Sequence, residues 1–451
     1  MKFGRDTWKS EKQTSSSMSG PKKGGGMNGL AKSGGFIESN PIKGEEWLWN
    51  SPSSTPRAKG GEKMFSLLRK GLMASILSVI IFVAGQALAA DTVNIVILDT
   101  INASGGLLGK KVKLIVEDDQ LKPDVATRKA IRAIMEDNAQ FILQNTSTAV
   151  ASALMNVAKN NKIIFTTLES ESDFLTGKDF NPYFFRTCFT TGNRSRAYAQ
   201  FFKNRPERKF YLINMDYAFG HAVADDFKTV MKKEIPDIQV VGEDYHPLGN
   251  KDFGPYITKI LSSGAQIIFT GNFGNDLSNL IRQGAQMGVK ARYATYFLDD
   301  DIQLPEIGQA AVGSFVMSIY LPTADTPQNK DFVKRWHQKF KDTKHPWPNF
   351  LFGSCYNGTM FLMTAIKKAN SLKSDAVIKA WEGMKYDGLT GKQVMRACDH
   401  QILMPGPIGE IQAKSRIFPF PFADNPVMIP TDQVAVPPAE TGNQRCLAGS
   451  K

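Results

Sequence analysis

Short apolar segments recur along this chain, and a longer stretch with helical spacing follows each of them. Residues 111–117 alternate Val112, Leu114 and Val116, which reads as a strand. Residues 124–138 then place Val125, Ile131, Ile134 and Met135 at helical intervals behind Pro123. The alternation continues with strand patterns at 140–143, 162–166, 209–214 and 265–270 and helical patterns at 147–160, 222–233 and 276–287. Strands separated by helix-length crossovers pair in parallel, and a parallel sheet must be covered by helices on both faces. The fold class is therefore α/β with mostly parallel sheets. About 360 residues of such pattern exceed one ordinary core, so two lobes are expected.

Open parallel sheets bind ligands beyond the carboxyl ends of their strands. Those positions here carry Asn145, Thr146, Ser147 and Thr148; Leu168, Glu169 and Ser170; Asp216 and Tyr217; and Asn272, Phe273 and Asn275. Hydroxyls, amides and aromatic rings beside helix N-termini suit a carboxylate or another small polar group. Asn145, Ser147 and Asn275 read equally well, one by one, as helix caps. Four such loops at strand ends favour a shared pocket.

Nothing comparable points to catalysis. There is no H-E-x-x-H, G-x-S-x-G or Walker loop. The five histidines are scattered without metal-ligand spacing. Asp299-Asp300-Asp301 reads as a solvated turn, and Trp336, Trp347 and Trp381 as packing residues. No catalytic residue, metal or cofactor is assigned.

The net charge of +12 suggests nucleic acid until it is divided along the chain. Residues 1–63 hold 11 Lys/Arg against 6 Asp/Glu and are rich in Gly, Ser and Pro, so they read as a disordered extension. Their run Gly24-Gly25-Gly26-Met27-Asn28-Gly29 fits G-x-G-x-x-G but lacks the strand and helix a dinucleotide site needs. Residues 64–89 have a basic start at Arg69 and Lys70, an apolar run over 72–84, and Ala87-Leu88-Ala89 as a cleavage site. They read as a signal peptide for export to the periplasm, favoured over a signal anchor. Translation from Met64 is the simplest account of a signal at this position. The rest of the chain carries only +5, and no nucleic-acid partner is expected.

Export exposes Cys188, Cys355, Cys398 and Cys446 to an oxidising space, where two disulfides have three connectivities. Cys398 and Cys446 are the preferred pair; Cys188 and Cys355 read equally as free, buried thiols.

Ile101-Asn102-Ala103-Ser104-Gly105-Gly106-Leu107-Leu108-Gly109-Lys110-Lys111, running into Val116-Glu117-Asp118-Asp119-Gln120, resembles the opening of branched-chain amino-acid-binding proteins, the periplasmic receptors of ABC importers. Tyr211 to Gly220, Thr270 to Leu277, Glu382 to Gly388 and Met395 to Gln401 extend the likeness over about residues 91–446, in order. The resemblance implies a type I periplasmic binding protein, with lobe 1 at 90–193 and 323–396 and lobe 2 at 194–322 and 397–451. In that family the loop matching 145–148 holds the ligand carboxylate, helped by the loop matching 168–171. Loops matching 216–219, 271–275 and 295–297 come from the second lobe, which adds Phe219, Tyr296 and Phe297 to the expected site. A monomer delivering its ligand to a membrane permease with an ATPase is implied. A sensory receptor of the same fold and a truncated, non-functional member are the alternatives.

The chain departs from the family in three ways. The family begins with a central strand and a Gly-rich loop; here residues 91–98 already align with the following helix, so the first strand is expected to be missing. Val93 to Leu98 permits a strand instead. The acidic residue that pairs the ligand's ammonium aligns near Phe297, leaving Asp276 or Asp299 to compensate, or else an acid or amide as ligand. The early disulfide of the family is absent, with Leu121 where its first cysteine would fall.

Overall fold

The computed structural model describes residues 76–83, 101–103 and 105–448. The extension 1–63 with its glycine run, the basic start and Ala-x-Ala site of the targeting segment, and the 93–98 run lie outside the described residues.

The first sheet comprises β1 (Ile76–Val83), β2 (Lys111–Asp118), β3 (Ala139–Asn145), β4 (Ile164–Thr167) and β5 (Phe184–Arg186). Its order is β2-β1-β3-β4-β5 and every pairing is parallel. Helix α1 (Pro123–Met135) crosses from β2 to β3 and α2 (Thr148–Asn161) from β3 to β4. Proline at its first turn starts α1. The Ser147 side chain caps α2, and Lys162 ends it in the left-handed conformation.

Where the sequence leaves the sheet without a central strand, the structure places β1. Val79 pairs with Leu114 on one side and Phe141 on the other, and Ile80 with Ile115 and Ile142. Val79 and Ile81 join the core containing Phe141 and Leu143, whereas Ile80 joins the opposite core with Ala126, Ile142 and Leu154. This strand comes from the apolar run that reads as the hydrophobic segment of an export signal, so the sheet reaches upstream of residue 90, where lobe 1 was expected to begin. The physical reason is a shared pattern. A strand buried on both faces is a continuous apolar run, and so is the core of a signal.

The Gly106 of the opening motif also has a structural reason. Its φ is +81°, and a Cβ there would lie 2.2 Å from the Lys110 carbonyl oxygen. Asn102 braces the same turn by bonding both backbone groups of Val112.

The second sheet is built from β6 (Lys209–Met215), β7 (Gln239–His246), β8 (Ile267–Thr270), β9 (Arg292–Thr295) and β10 (Phe315–Met317), all parallel in the order β10-β9-β8-β6-β7. Its helices are α3 (Thr191–Lys203), α4 (Ala218–Glu234), α5 (Gly254–Ser263), α6 (Gly274–Gln286) and the short α7 (Gln303–Ile307). The chain then returns to the first sheet as α8 (Pro327–Phe340), α9 (Phe350–Ala369) and α10 (Ser374–Trp381). Trp381 stacks on Phe185 of β5, with ring centroids 4.2 Å apart. A small antiparallel sheet, β11 (Lys385–Gly388), β12 (Gly391–Met395) and β13 (Ile402–Leu403), leads back to the second lobe. There β14 (Gly406–Gln412) pairs antiparallel with β10 and carries β15 (Phe422–Ala423) and β16 (Val427–Ile429). The chain thus passes between the lobes three times. Cys398 and Cys446 form a disulfide at the end of the last passage, and Cys188 and Cys355 are buried free thiols.

A second sequence expectation is also corrected. Asp299-Asp300-Asp301 is no solvated turn. Asp299 is 1% exposed, Asp300 accepts from the Ile302 and Gln303 amides at the start of α7, and Asp301 meets His345 and Asn349. The partners of Asp301 lie 44 and 48 residues away, which a local reading does not see.

Candidate functional site

The loops after β6 and β8 meet at Phe297, just beyond β9. Its ring centroid lies 6.1 Å from Phe219, 5.8 Å from Phe273 and 5.5 Å from Phe350. Phe219 and Phe273 start α4 and α6 of the second lobe, whereas Phe350 starts α9 of the first. Tyr217 stands 6.0 Å from Phe219. The turn presenting these rings needs Gly220, since a Cβ there would come 2.0 Å from the Met215 carbonyl oxygen.

A charged group lies against the aromatic one. Arg194, fully buried on α3, directs Nε to Glu171 Oε1 at 3.0 Å and Nη1 to the carbonyls of Tyr296, at 3.0 Å, and Met317. Its guanidinium carbon sits 4.7 Å from the Tyr296 ring centroid and 5.1 Å from that of Phe297. Burial works against the Arg194 charge, but Glu171 beside it holds the guanidinium above its ordinary range. Glu169, two residues from Glu171, is pushed well up by burial and by the like charges of Glu171 and Asp299, with Arg194 opposing. Burial also drives Asp299 up to about 8, against the Ser318 hydroxyl and Arg194.

The remaining expected residues divide. Asn145 ends β3 with Nδ2 2.9 Å from Cys355 Sγ on α9, and its Oδ1 is buried with no hydrogen-bond partner. The Thr148 hydroxyl lies 3.1 Å from that of Ser172. Thr146 and Ser170 belong to a scaffold around buried Gln144. Gln144 Nε2 donates to Thr146 Oγ1 at 2.7 Å, and the Ser170 hydroxyl lies 3.1 Å from Gln144 Oε1. Ser147 caps α2, and its hydroxyl accepts from the Val150 amide. Leu168 is buried and pinned through its backbone to Gln144 and Ser354. Asn272 Nδ2 lies 2.7 Å from His246 Nε2, while its Oδ1 is buried without a partner. Asn275 is exposed in the first turn of α6.

Sequence reasoning singled out neither Arg194 nor Phe350. Arg194 meets partners 23, 102 and 123 residues away, so no local pattern marks it. Asp276, offered as a substitute acid, is occupied: its Oδ2 accepts from the Gly249 amide at 2.8 Å. The described residues contain one grouping with metal-ligand proximity, Cys398, Asp399 and Cys446, and its two sulfurs are already joined to each other.

The chain as a whole is similar to known proteins. The periplasmic binding protein family model matches residues 93–416. A Leu/Ile/Val-binding protein homolog 4 from Brucella abortus (strain 2308) is 28% identical over 334 residues, covering 71% of this chain and 79% of its own. A leucine-, isoleucine-, valine-, threonine- and alanine-binding protein from Brucella ovis, solved in a closed conformation, superposes with a TM-score of 0.71 at 26% identity over 80% of this chain and 97% of its own. An amino acid ABC transporter substrate-binding protein from Pseudomonas fluorescens Pf-5 gives 0.72 at 24% identity, over 82% and 98% of the two chains.

Proposed function

The chain belongs to the periplasmic binding protein family, and from that premise we propose that it is the solute receptor of an ABC importer for branched-chain amino acids or related small carboxylates or amides. The observation that carries this reading is the cluster at Phe297, where rings from both lobes meet beside a buried, charged polar set. Apolar walls with a few fixed polar groups suit a small ligand with an aliphatic or aromatic body and a polar head. Lobes joined by three chain passages suit hinge closure, which a permease with its ATPase reads as the loaded shape. The lobe ranges 90–193 with 323–396 and 194–322 with 397–451, extended upstream by β1, are part of the proposal, as is a monomer without catalytic activity. Within the cleft, Asn145 and Thr148 face the ligand carboxylate, Glu169 stands beside it, and Tyr217, Phe219, Phe273, Tyr296 and Phe297 wall the body. Thr146, Ser147, Leu168, Ser170, Asn272 and Asn275 hold the loops.

Members of this family work in the periplasm, and export is proposed to begin from residues 64–89. Because β1 uses the same apolar run, the fold described here is that of a chain still carrying it.

The test is a thermal-shift and calorimetric screen of L-leucine, L-isoleucine, L-valine, aromatic acids and small amides. A ligand at 100 times its Kd stabilises by about 2.7 kcal/mol, and the shift should vanish in Phe297→Ala. No stabilisation by any compound would overturn the reading.

A further inference from the structure

A carboxylate of the second lobe is held by side chains of the first. Asp301 lies between β9 and β10 of the second sheet, just past Phe297. His345 and Asn349 lie between α8 and α9, and α9 is tied to the first sheet: the Ser354 hydroxyl donates to the Leu168 carbonyl, and Cys355 Sγ lies 2.9 Å from Asn145 Nδ2. From that side His345 Nδ1 comes within 3.3 Å of both Asp301 oxygens, and Asn349 Nδ2 donates to Asp301 Oδ1 at 3.2 Å. The ion pair is shielded from water, with side-chain exposures of 13% for His345 and 3% for Asp301. The same segment meets the second lobe again at Trp347, whose ring centroid is 5.3 Å from that of Phe418, between β14 and β15. Phe350, next after Asn349, faces Phe297 at 5.5 Å. Residues 341–349 are thus a strap of the first lobe, fastened to the second beside the aromatic cluster.

The strap is braced where it carries the pair. The Trp336 indole of α8 donates to the His345 carbonyl at 3.0 Å, and the His345 amide donates to the Thr343 hydroxyl at 3.2 Å. The Phe352 ring meets the His345 ring edge-on at 5.1 Å, and Asn349 Oδ1 accepts from the Phe352 amide to cap α9. His337 of α8 stacks on Trp347, with Nδ1 3.0 Å from the Pro346 carbonyl oxygen. The charged groups facing the His345 ring are Asp301 and Asp300 from the second lobe and Lys344 on the strap. The Asp301 hydrogen bond holds the imidazole above its ordinary range, with Asp300 adding to it and burial and Lys344 opposing.

A carboxylate shielded at a lobe boundary needs a partner whenever the lobes are together. The imidazolium supplies one through a charge-assisted hydrogen bond, roughly twice as strong as the neutral bond left after deprotonation. Opening the lobes returns both groups to water and ends the need. We propose that residues 341–349 are a pH-sensitive strap, in which protonated His345 fastens to Asp301 and holds the lobes together, and loss of that proton loosens it. Closure then takes up a proton. The closed form gains its full advantage below the ordinary histidine range and loses it as pH rises through the higher value of the closed protein. That the cleft retains a ligand longer in acid rests on the receptor reading above; the strap itself does not.

The test is electron–electron double resonance between nitroxides at Lys122→Cys and Lys251→Cys in the full-length chain without added ligand. Both positions are exposed, just beyond β2 of the first sheet and β7 of the second. Cys188 and Cys355 are buried, and Cys398 and Cys446 are bonded to each other. The ratio of short to long distances is expected to rise at least about threefold from pH 8.5 to pH 5.5. His345→Gln and Asp301→Asn, each added to the labelled chain, are expected to hold the ratio at its pH 8.5 level throughout. If these variants do not fold, the labelled chain alone decides: the midpoint of the rise should coincide with the titration of the His345 ring followed by NMR. A ratio independent of pH, a rise that survives in His345→Gln, or a midpoint apart from the His345 titration overturns the proposal. A flat ratio in a chain that is stabilised in the thermal-shift screen leaves the receptor reading standing without the strap. A pH-dependent ratio in a chain that binds nothing in that screen supports the strap and overturns the receptor reading.

Discussion

Arg194 and Glu171 form a buried ion pair between the lobes, with Arg194 Nε 3.0 Å from Glu171 Oε1 and exposures of 0% and 2%. Glu171 lies in the loop after β4 of the first sheet; Arg194 lies on α3, whose Tyr198 hydroxyl donates to the Thr295 carbonyl of the second. Removing one charge strands the other away from water. Arg194→Met and Glu171→Gln are each expected to cost about 3–5 kcal/mol in urea unfolding. The arginine variant should be the worse, because it also abandons the Tyr296 and Met317 carbonyls. A loss below about 1 kcal/mol in both would show that water reaches the pair.

Asp299 sets a pH dependence with a definite sign. Its carboxyl is pushed from 3.8 up to about 8 in the folded protein. Between those values the folded chain keeps a proton that the unfolded chain has released, so stability falls as pH rises through the window and levels off above it. Glu169 acts in the same direction. Asp299→Asn is therefore expected to flatten the fall in Tm between pH 5 and pH 8. An identical profile in the variant would remove Asp299 as its source.

The Cys398–Cys446 disulfide closes a 48-residue separation and fastens the C-terminal helix Gln444–Ala448 to the last passage between the lobes. Near it Glu382 is drawn down to about 2 by His400 first and Arg445 next, with Nε2 of His400 2.8 Å from its Oε1. Opening the bridge frees the Arg445 arm of that network as well as the chain. Cys398→Ser with Cys446→Ser is expected to cost about 2–4 kcal/mol by denaturant titration, whereas the unaltered protein in reductant should fall to the same level. Separate levels would mean that the serines disturb the site beyond loss of the bridge.

Much of this architecture was legible because period switches from two to 3.6 mark β2, α1, β3, α2, β4 and β6 directly. The elements that escaped are those whose pattern is weak. The strands β5 and β10 have three residues each, too few to show a period, and β7 is mostly half-buried at a sheet edge. Strand ends pointed to the loops around Phe297 because parallel topology puts every C-terminal end on one side. What those loops contact was not legible, since Phe350 and Arg194 arrive from other segments. Thr146 and Ser170 looked like ligand donors by residue type, but their hydroxyls serve Gln144, a pairing visible only in three dimensions.

The strand β1 yields the sharpest prediction, because one run of residues has two incompatible uses. As a strand it pairs with β2 and β3 together and buries Val79, Ile80 and Ile81 to 2% exposure or less. As the core of a cleaved signal it would leave the protein when the chain is cut after Ala89. A chain beginning at Ala90 would open β2 and β3 along facing edges and lose about 1.5–3 kcal/mol for each large apolar side chain removed from the core. We expect such a chain to lose hydrogen-exchange protection across β2 and β3 while β6 and β8 in the second lobe keep theirs, and Val79→Asp to do the same in the full chain. N-terminal sequencing of the folded, ligand-competent protein decides between the two uses: a start upstream of Ile76 keeps the run as β1, and a start at Ala90 gives it to the signal. A competent protein starting at Ala90, with β2 and β3 fully protected, would show that the first sheet closes without this strand.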